Sequence, residues 1–292
     1  MFALNFNKIT MPIFYGKAAL IEFLNSVKTL NSTIGFVPTM GALHQGHLSL
    51  MQQSLAENNN TVVSIFVNPT QFNNAEDLEK YPRTLDKDTQ KIADLNSDII
   101  IYAPSIEDIY EGKIASQDFD FDGLENQMEG KFRPGHFNGV GTIVKKLFEI
   151  VSPTNAYFGQ KDFQQLQIVK KMVLKNNLAV NIIGCEIFRE ANGLAMSSRN
   201  ERLSAPEREK AAIIYQTLLE AKEKFKTQSC AEVKNWVNQV FKSNPIFDLE
   251  YFEIADEETL ISCNEKSKDK NYRAFIAVFV NNIRLIDTIS LK

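Results

Sequence analysis

Pro38-Thr39-Met40-Gly41-Ala42-Leu43-His44-Gln45-Gly46-His47 joins a short apolar run, Thr33 to Val37, to a helix-like stretch from Leu48 to Glu57. A fully apolar run, a glycine-bearing turn and a helix make the strand–turn–helix unit of a parallel sheet, and such sheets bind ligands at the carboxyl ends of their strands. The free N–H groups of a helix start attract phosphate, and glycines let the backbone approach it closely. Gly41 and Gly46 have the spacing of a P-loop, but His47-Leu48 stand where that loop needs Lys-Ser/Thr, which disfavours a P-loop NTPase. His44 and His47, three residues apart, can instead donate hydrogen bonds to a triphosphate. The bland alternative is a polar turn whose histidines only cap the helix.

Outward from this turn the same alternation continues. Leu20, Ile21, Leu24 and Val27 recur at helical spacing before the first run. Thr61 to Val67 is rich in β-branched residues, a helix is predicted over Leu85 to Leu95, and Asp98 to Tyr102 forms the next apolar run. A helix from Phe163 to Asn176 and a strand from Val180 to Ile187 complete the series. Apolar runs separated by helices describe a parallel sheet covered on both faces. The expectation is an α/β fold, a Rossmann-like doubly wound domain over residues 1–186. Residues 187–292 read as a smaller α+β domain. Ser204 and Pro206 start its first helix, with helices over 207–226 and 231–242. Strands follow over 248–254, 272–280 and 283–289, the last two joined at Asn281-Asn282.

Three further loops carry polar or cationic groups. His136, the third of only three histidines, sits in Arg133-Pro134-Gly135-His136. Lys161 lies in Phe158-Gly159-Gln160-Lys161-Asp162 at another helix start, and Ser197, Ser198 and Arg199 fill the junction between the two domains. Singly, each reads equally well as a solvated loop, a linker or a cap; together they point to an anion site.

Composition narrows the class. Net charge is −4, so bulk electrostatics gives no help to nucleic-acid or anionic-membrane binding. No apolar stretch approaches the roughly 18 residues of a membrane span, and Met1 to Tyr15 lack the pattern of a signal peptide. Cys185, Cys230 and Cys263 are scattered and odd in number, which predicts buried thiols in a reducing compartment. The expected location is the cytoplasm. Asp118-Phe119-Asp120-Phe121-Asp122-Gly123 with Glu129 satisfies the EF-hand pattern, but an EF-hand needs two flanking helices. The alternating Phe119 and Phe121 read instead as a short strand, and no calcium site is expected.

PTMGALHQGHLSL (38–50), SIFVNPTQF (64–72), YPRT (81–84), RPGHFNGV (133–140), FGQKDFQQL (158–166) and GLAMSSRN (193–200) occur in this order. Together they closely resemble the pantoate–β-alanine ligases (pantothenate synthetases) of the HxGH-type nucleotidyltransferase superfamily. The resemblance spans Pro38 to Asn200; beyond it the C-terminal domain matches in size and position. It implies an ATP-dependent ligase in which pantoate and ATP give pantoyl adenylate and pyrophosphate. β-Alanine then attacks the adenylate, giving pantothenate and AMP. It also implies a homodimer, a magnesium requirement and a C-terminal domain acting as a lid. By the same resemblance the ATP site falls on Met40, Gly41, Ala42, Leu43, His44, Gln45, Gly46 and His47. It continues through Gly159, Gln160, Lys161 and Asp162, the backbone of Phe188, and Met196, Ser197, Ser198 and Arg199. His47 matches the proton donor. His44, Lys161, Ser197, Ser198 and Arg199 complete the catalytic set. Gln71 and Gln165 match pantoate-binding glutamines, with Gln71 also near β-alanine, and Met40 and Phe72 are expected to cover the methyl groups of pantoate. The chain departs from the family at Asn192, where aspartate is common, and at Lys87, in a stretch associated with magnesium in some members. Asp88 is the candidate metal ligand there, and the metal site stays open. Another HxGH nucleotidyltransferase or a non-catalytic nucleotide-binding regulator are the competing readings.

Overall fold

The computed structural model describes residues 11–73 and 75–292. Residues 1–10, part of the segment read as lacking a signal peptide, lie outside them. β1 (Ile13–Phe14) and α1 (Lys17–Val27) precede β2 (Ile34–Thr39), α2 (Gln45–Glu57) and β3 (Asn60–Ile65). α3 (Ala75–Lys80) and α4 (Leu85–Leu95) lead to β4 (Ile100–Tyr102). α5 (Ile106–Tyr110), α6 (Met128–Phe132) and α7 (His136–Val151) come before β5 (Asn155–Gly159), α8 (Phe163–Lys175) and β6 (Asn181–Cys185). The six strands form one parallel sheet in the order β1-β4-β3-β2-β5-β6, the doubly wound fold that the alternation predicts.

Alternate residues of each strand enter opposite cores. Phe36, Val62 and Ile100 pack with Leu20, Val140 and Leu147 on one face; Val37, Val63 and Ile101 pack with Met51 and Ile92 on the other. Both faces are buried, which is why the strands read as continuous apolar runs.

β2 is the pivot. The chain leaves it toward β3 and β4, then returns on its other side through β5, so the switch point lies between β2 and β5. β2 pairs with β3 along all six residues but with β5 only at Gly35↔Asn155 and Phe36↔Ala156. The strand runs two residues beyond the expected end at Val37 and takes in Pro38. Proline has no N–H for a ladder, and it sits where β2 and β5 have already parted. The parting opens a crevice lined by Pro38, Thr39, Phe158 and Gly159.

The second core begins near Leu194. α9 (Ala205–Lys210), α10 (Ile213–Phe225) and α11 (Cys230–Lys242) cover an antiparallel sheet of β7 (Phe247–Asp256), β8 (Tyr272–Val280) and β9 (Ile283–Ser290). Ser204 caps α9 with Glu207 in a capping box. The single helix expected over 207–226 is broken at Ala211-Ala212, where the Ala212 N–H bonds three residues back, to the Glu209 carbonyl.

Two local expectations are corrected. Cys230 and Cys263 are joined in a disulfide, leaving only Cys185 as a buried thiol. They lie 33 residues apart, but α11 packs on β7, and the segment after β7 folds back so that the Cys263 N–H bonds the Ile254 carbonyl. The Phe119–Phe121 segment is not a strand. Among the described residues no strand pairs with it, and α7 side chains bond its backbone and the residues before it: Thr142 accepts from the Gln117 N–H and Asn138 from the Phe119 N–H. Asp120 and Asp122 pair with Lys175, while Glu129 is turned away to Arg284 and the Tyr251 hydroxyl (2.8 Å). Asp118 accepts from the Asn138 amide, so the acids of the EF-hand pattern serve different partners and do not converge. No helix of the described residues is long and apolar enough to cross a membrane.

Candidate active site

The turn after β2 is built around a left-handed backbone. Gly41 has φ +80° and Ala42 φ +51°; glycine adopts this region freely, alanine only under outside constraint. The constraint comes from α4. The Asp88 carboxylate accepts the N–H groups of Ala42 (2.9 Å) and Leu43 (2.8 Å), and Lys91 donates to the Leu43 carbonyl (2.6 Å). The Gly41 N–H bonds the Thr39 hydroxyl oxygen, and the His44 N–H bonds His47 Nδ1 at 3.3 Å. The N–H groups from Gly41 to His44 are therefore already engaged by the protein itself, and side chains join the helix start in meeting a ligand.

Those side chains converge. The two imidazoles lie 4.0 Å apart between centroids. With its Nδ1 accepting, neutral His47 carries its proton on Nε2, and His44 Nδ1 is buried with no hydrogen-bond partner among the described residues. The crevice, about 250 Å³, is lined by both histidines, Met40, Gly46, Gly159, Lys161, Asp162, Phe188, Met196, Ser197, Ser198 and Arg199. Gln71 and Gln165 line it as well. Among the described residues neither Lys161 nor Arg199 has a carboxylate within ion-pair distance.

Five expected ATP-site residues do not line the crevice. Gly41, Ala42 and Leu43 form the clamped turn, with Leu43 in the core, and Gln45 is exposed on α2. Gln160 bonds the Gly184 carbonyl and accepts from Arg273. Asp88, the candidate metal ligand, has both carboxylate oxygens engaged by the turn and by Thr84, and is corrected to a structural anchor. Among the described residues no three His, Cys, Asp or Glu converge on one point. Asp162 and Glu186 are the carboxylates of the crevice, both exposed. Magnesium in nucleotide sites takes one or two carboxylates with phosphates and waters. That donor set fits an ion arriving with a triphosphate.

The glutamine end depends on residues the motifs did not single out. Buried Asn68 donates to Gln71 Oε1 (3.1 Å) and to the Gly139 carbonyl, and its Oδ1 accepts from the Tyr110 hydroxyl. Gln71 Nε2 lies 2.8 Å from Met40 Sδ, and His136 Nδ1 donates to the Gln71 carbonyl at 2.8 Å. Any side chain at Gly139 would put a Cβ 2.2 Å from the Thr70 carbonyl oxygen, so glycine alone lets α7 press against the Pro69–Gln71 turn. Met40 lies in the apolar wall as expected, beside Val140, Ile143 and Val144; Phe72 does not, and packs edge-on against Tyr81. Asn192 replaces the common aspartate without loss: its Oδ1 accepts the Leu194 N–H and its amide adds a bond to the Arg208 carbonyl.

Burial, reinforced by the Lys161 and Lys91 ammonium groups, depresses His44 to about 4. Burial and the same neighbours, with His44, hold His47 well below its ordinary value. Burial and Arg133 lower His136 to about 4. All three are neutral near pH 7, whereas in the unfolded chain they protonate near 6.5. Between roughly pH 6.5 and 4 the unfolded chain binds protons that the folded chain refuses, so stability is lost as pH falls through that window. The melting temperature is expected to hold steady above pH 7 and fall below 6.5, with a shallower fall in His136→Asn. Equal slopes in the two proteins would contradict the assignment.

A doubly wound sheet carrying an HxGH turn at its switch point, with unpaired cations facing the crevice, defines a nucleotide-binding α/β protein of the HxGH class. Residues 13–290 match the family model for pantoate-beta-alanine ligase, and the chain belongs to that family. It is 67% identical to the pantothenate synthetase of Flavobacterium psychrophilum over 97% of this chain and all of that one. It is 46% identical to that of Bacteroides thetaiotaomicron over 92% of this chain and 95% of the relative. Its fold matches the Thermus thermophilus pantothenate synthetase with TM-score 0.86 at 37% identity, covering 96% and 99% of the two chains. A Francisella tularensis pantoate-beta-alanine ligase, solved with beta-gamma ATP and beta-alanine, matches with TM-score 0.77 at 35% identity over 97% and 98%.

Proposed function

We propose that this ligase condenses pantoate with β-alanine to pantothenate through pantoyl adenylate, releasing pyrophosphate and AMP. The observation that carries the reading is the convergence of unpaired Lys161 and Arg199 with His44 and His47 at the β2–β5 switch point, next to the Gln71–Gln165 pocket. The family membership and the ligands named for the Francisella relative support it.

In the first step a pantoate carboxylate oxygen attacks the α-phosphorus, and the bond to the β-phosphate oxygen breaks. Negative charge grows on the departing pyrophosphate and the equatorial oxygens. The His47 Nε2–H, His44, Lys161, Arg199 and the Ser197 and Ser198 hydroxyls are placed to stabilise it, each worth on the order of 10²–10³ in rate. Triphosphate charge also offsets the Lys161 field that adds to burial in keeping the histidines neutral. Magnesium, when bound through Asp162 and the phosphates, supplies further neutralisation of that charge. Phe188, 41% exposed at the crevice mouth beside Met196, offers an apolar face to adenine. In the second step the β-alanine amine attacks the acyl carbon, AMP departs and the amine loses a proton. An acyl adenylate hydrolyses in water, so the C-terminal domain is assigned the role of a lid. The reading also takes the protein to be a cytoplasmic homodimer.

The test is exchange of labelled pyrophosphate into ATP. It is expected to require pantoate and magnesium but not β-alanine. Exchange appearing only with β-alanine present would overturn the two-step order.

A further inference from the structure

We propose that Asp88, with Lys91 one turn further along α4, is a positioning residue for adenylation, acting through its hold on the backbone that carries His44 and His47. The proposal rests on the nucleotidyl-transfer reading of this crevice.

Two consecutive left-handed residues, one of them Ala42, do not persist unless their surroundings dictate them. The Asp88 side chain dictates them. It is 1% exposed, and its Oδ2 accepts the Ala42 N–H and the Thr84 hydroxyl (3.0 Å) while Oδ1 accepts the Leu43 N–H. Consecutive N–H groups in such a turn form a concavity suited to an anion. In a phosphate-cradling loop the nucleotide fills it. Here a buried carboxylate fills it permanently, and charge-assisted bonds from two backbone donors make the hold firm. Lys91 closes the clamp from the other side through the Leu43 carbonyl, one residue before His44. The consequence is a rigid turn in which the His44 N–H meets His47 Nδ1 and the His47 proton stays on Nε2, facing the crevice. Asp88 thus takes the Ala42 and Leu43 N–H groups away from a ligand and leaves the imidazoles that follow them facing the crevice. Burial and these three bonds set Asp88 apart from the crevice carboxylates Asp162 and Glu186, which are exposed.

Asp88→Asn keeps the shape and one acceptor oxygen but turns an NH₂ toward one of the two amides. Lys91→Met removes the other half of the clamp. Adenylation is expected to slow by about 10-fold or more in Asp88→Asn, with the KM values for ATP and pantoate changed by less than about 3-fold. The magnesium concentration for half-maximal rate stays unchanged. Lys91→Met shows the same pattern to a smaller extent. In ¹⁵N-histidine spectra of the free proteins, the His44 and His47 ring signals move toward a mixture of tautomers while those of His136 stay fixed. Wild-type rates with wild-type ring signals overturn the proposal. So does a rate loss recovered by added magnesium, which would make Asp88 a metal ligand. If Asp88→Ala fails to fold, the Asn and Met variants decide. A wild-type protein without pantoate-dependent exchange would defeat the functional reading alone, and the ring signals would still decide the clamp.

Discussion

Replacing His47 or Lys161 with alanine lowers the single-turnover rate of pantoate adenylation by about 10²- to 10³-fold, while the melting temperature stays within a few degrees of the parent's. Both side chains face the crevice and neither is committed to an ion pair among the described residues. Their main contribution is therefore made to charge that develops on the ligand, with His47 adding one long bond to the turn through its Nδ1. The structure adds a second signature. The Lys161 ammonium is one reason that His44 titrates near 4, so its removal raises the His44 value in the free protein. The His47 variant leaves Lys161 in place and removes one buried ring, which gives a smaller acid-side loss of stability than in the parent. Quenched-flow measurement of adenylate, paired with histidine titration, separates the two effects. A near-normal adenylation rate in either variant removes that residue from the proposed chemistry.

Gln71→Leu is expected to lower kcat/KM for pantoate by at least 10-fold and to leave ATP binding nearly unchanged. The Gln71 amide is held before any ligand arrives: Asn68 donates to its oxygen and its nitrogen rests against Met40, while His136 anchors the main-chain carbonyl of the same residue. A leucine fits the apolar wall of Val140 and Ile143 but offers a hydroxyl or carboxylate nothing to bond. An unpaired buried polar group costs roughly 1–3 kcal/mol, or about 5- to 150-fold in an equilibrium constant. The same substitution removes the penalty on an acid lacking one hydroxyl, so discrimination between that analogue and pantoate narrows. Gln71 is held by Asn68, Met40 and His136 and not by His44, His47 or Lys161, so the nucleotide is spared. Full pantoate activity with full discrimination in Gln71→Leu would move the acid pocket elsewhere.

Much of this was legible in the chain itself. The turn from Pro38 to His47, the Gly159–Asp162 turn and the Met196–Arg199 segment each hold their chemistry within a few residues, so a linear reading finds them. The apolar runs at 33–37, 61–67 and 98–102 announce a doubly buried parallel sheet because burial of both faces leaves no polar alternation. What the tertiary structure alone decided lies in pairs distant along the chain. Asp88 reaches a turn more than forty residues before it, Glu129 abandons the acidic pattern for Arg284, and Cys230 finds Cys263 across a folded-back segment. Asn68 becomes part of the pocket because Gly139 lets α7 approach the Pro69–Gln71 turn. The reason is physical: local periodicity records which face of an element is buried, but not which element covers it. That choice is made by the crossovers and by packing, and it determined which acids of this chain are anchors and which are left to meet a ligand.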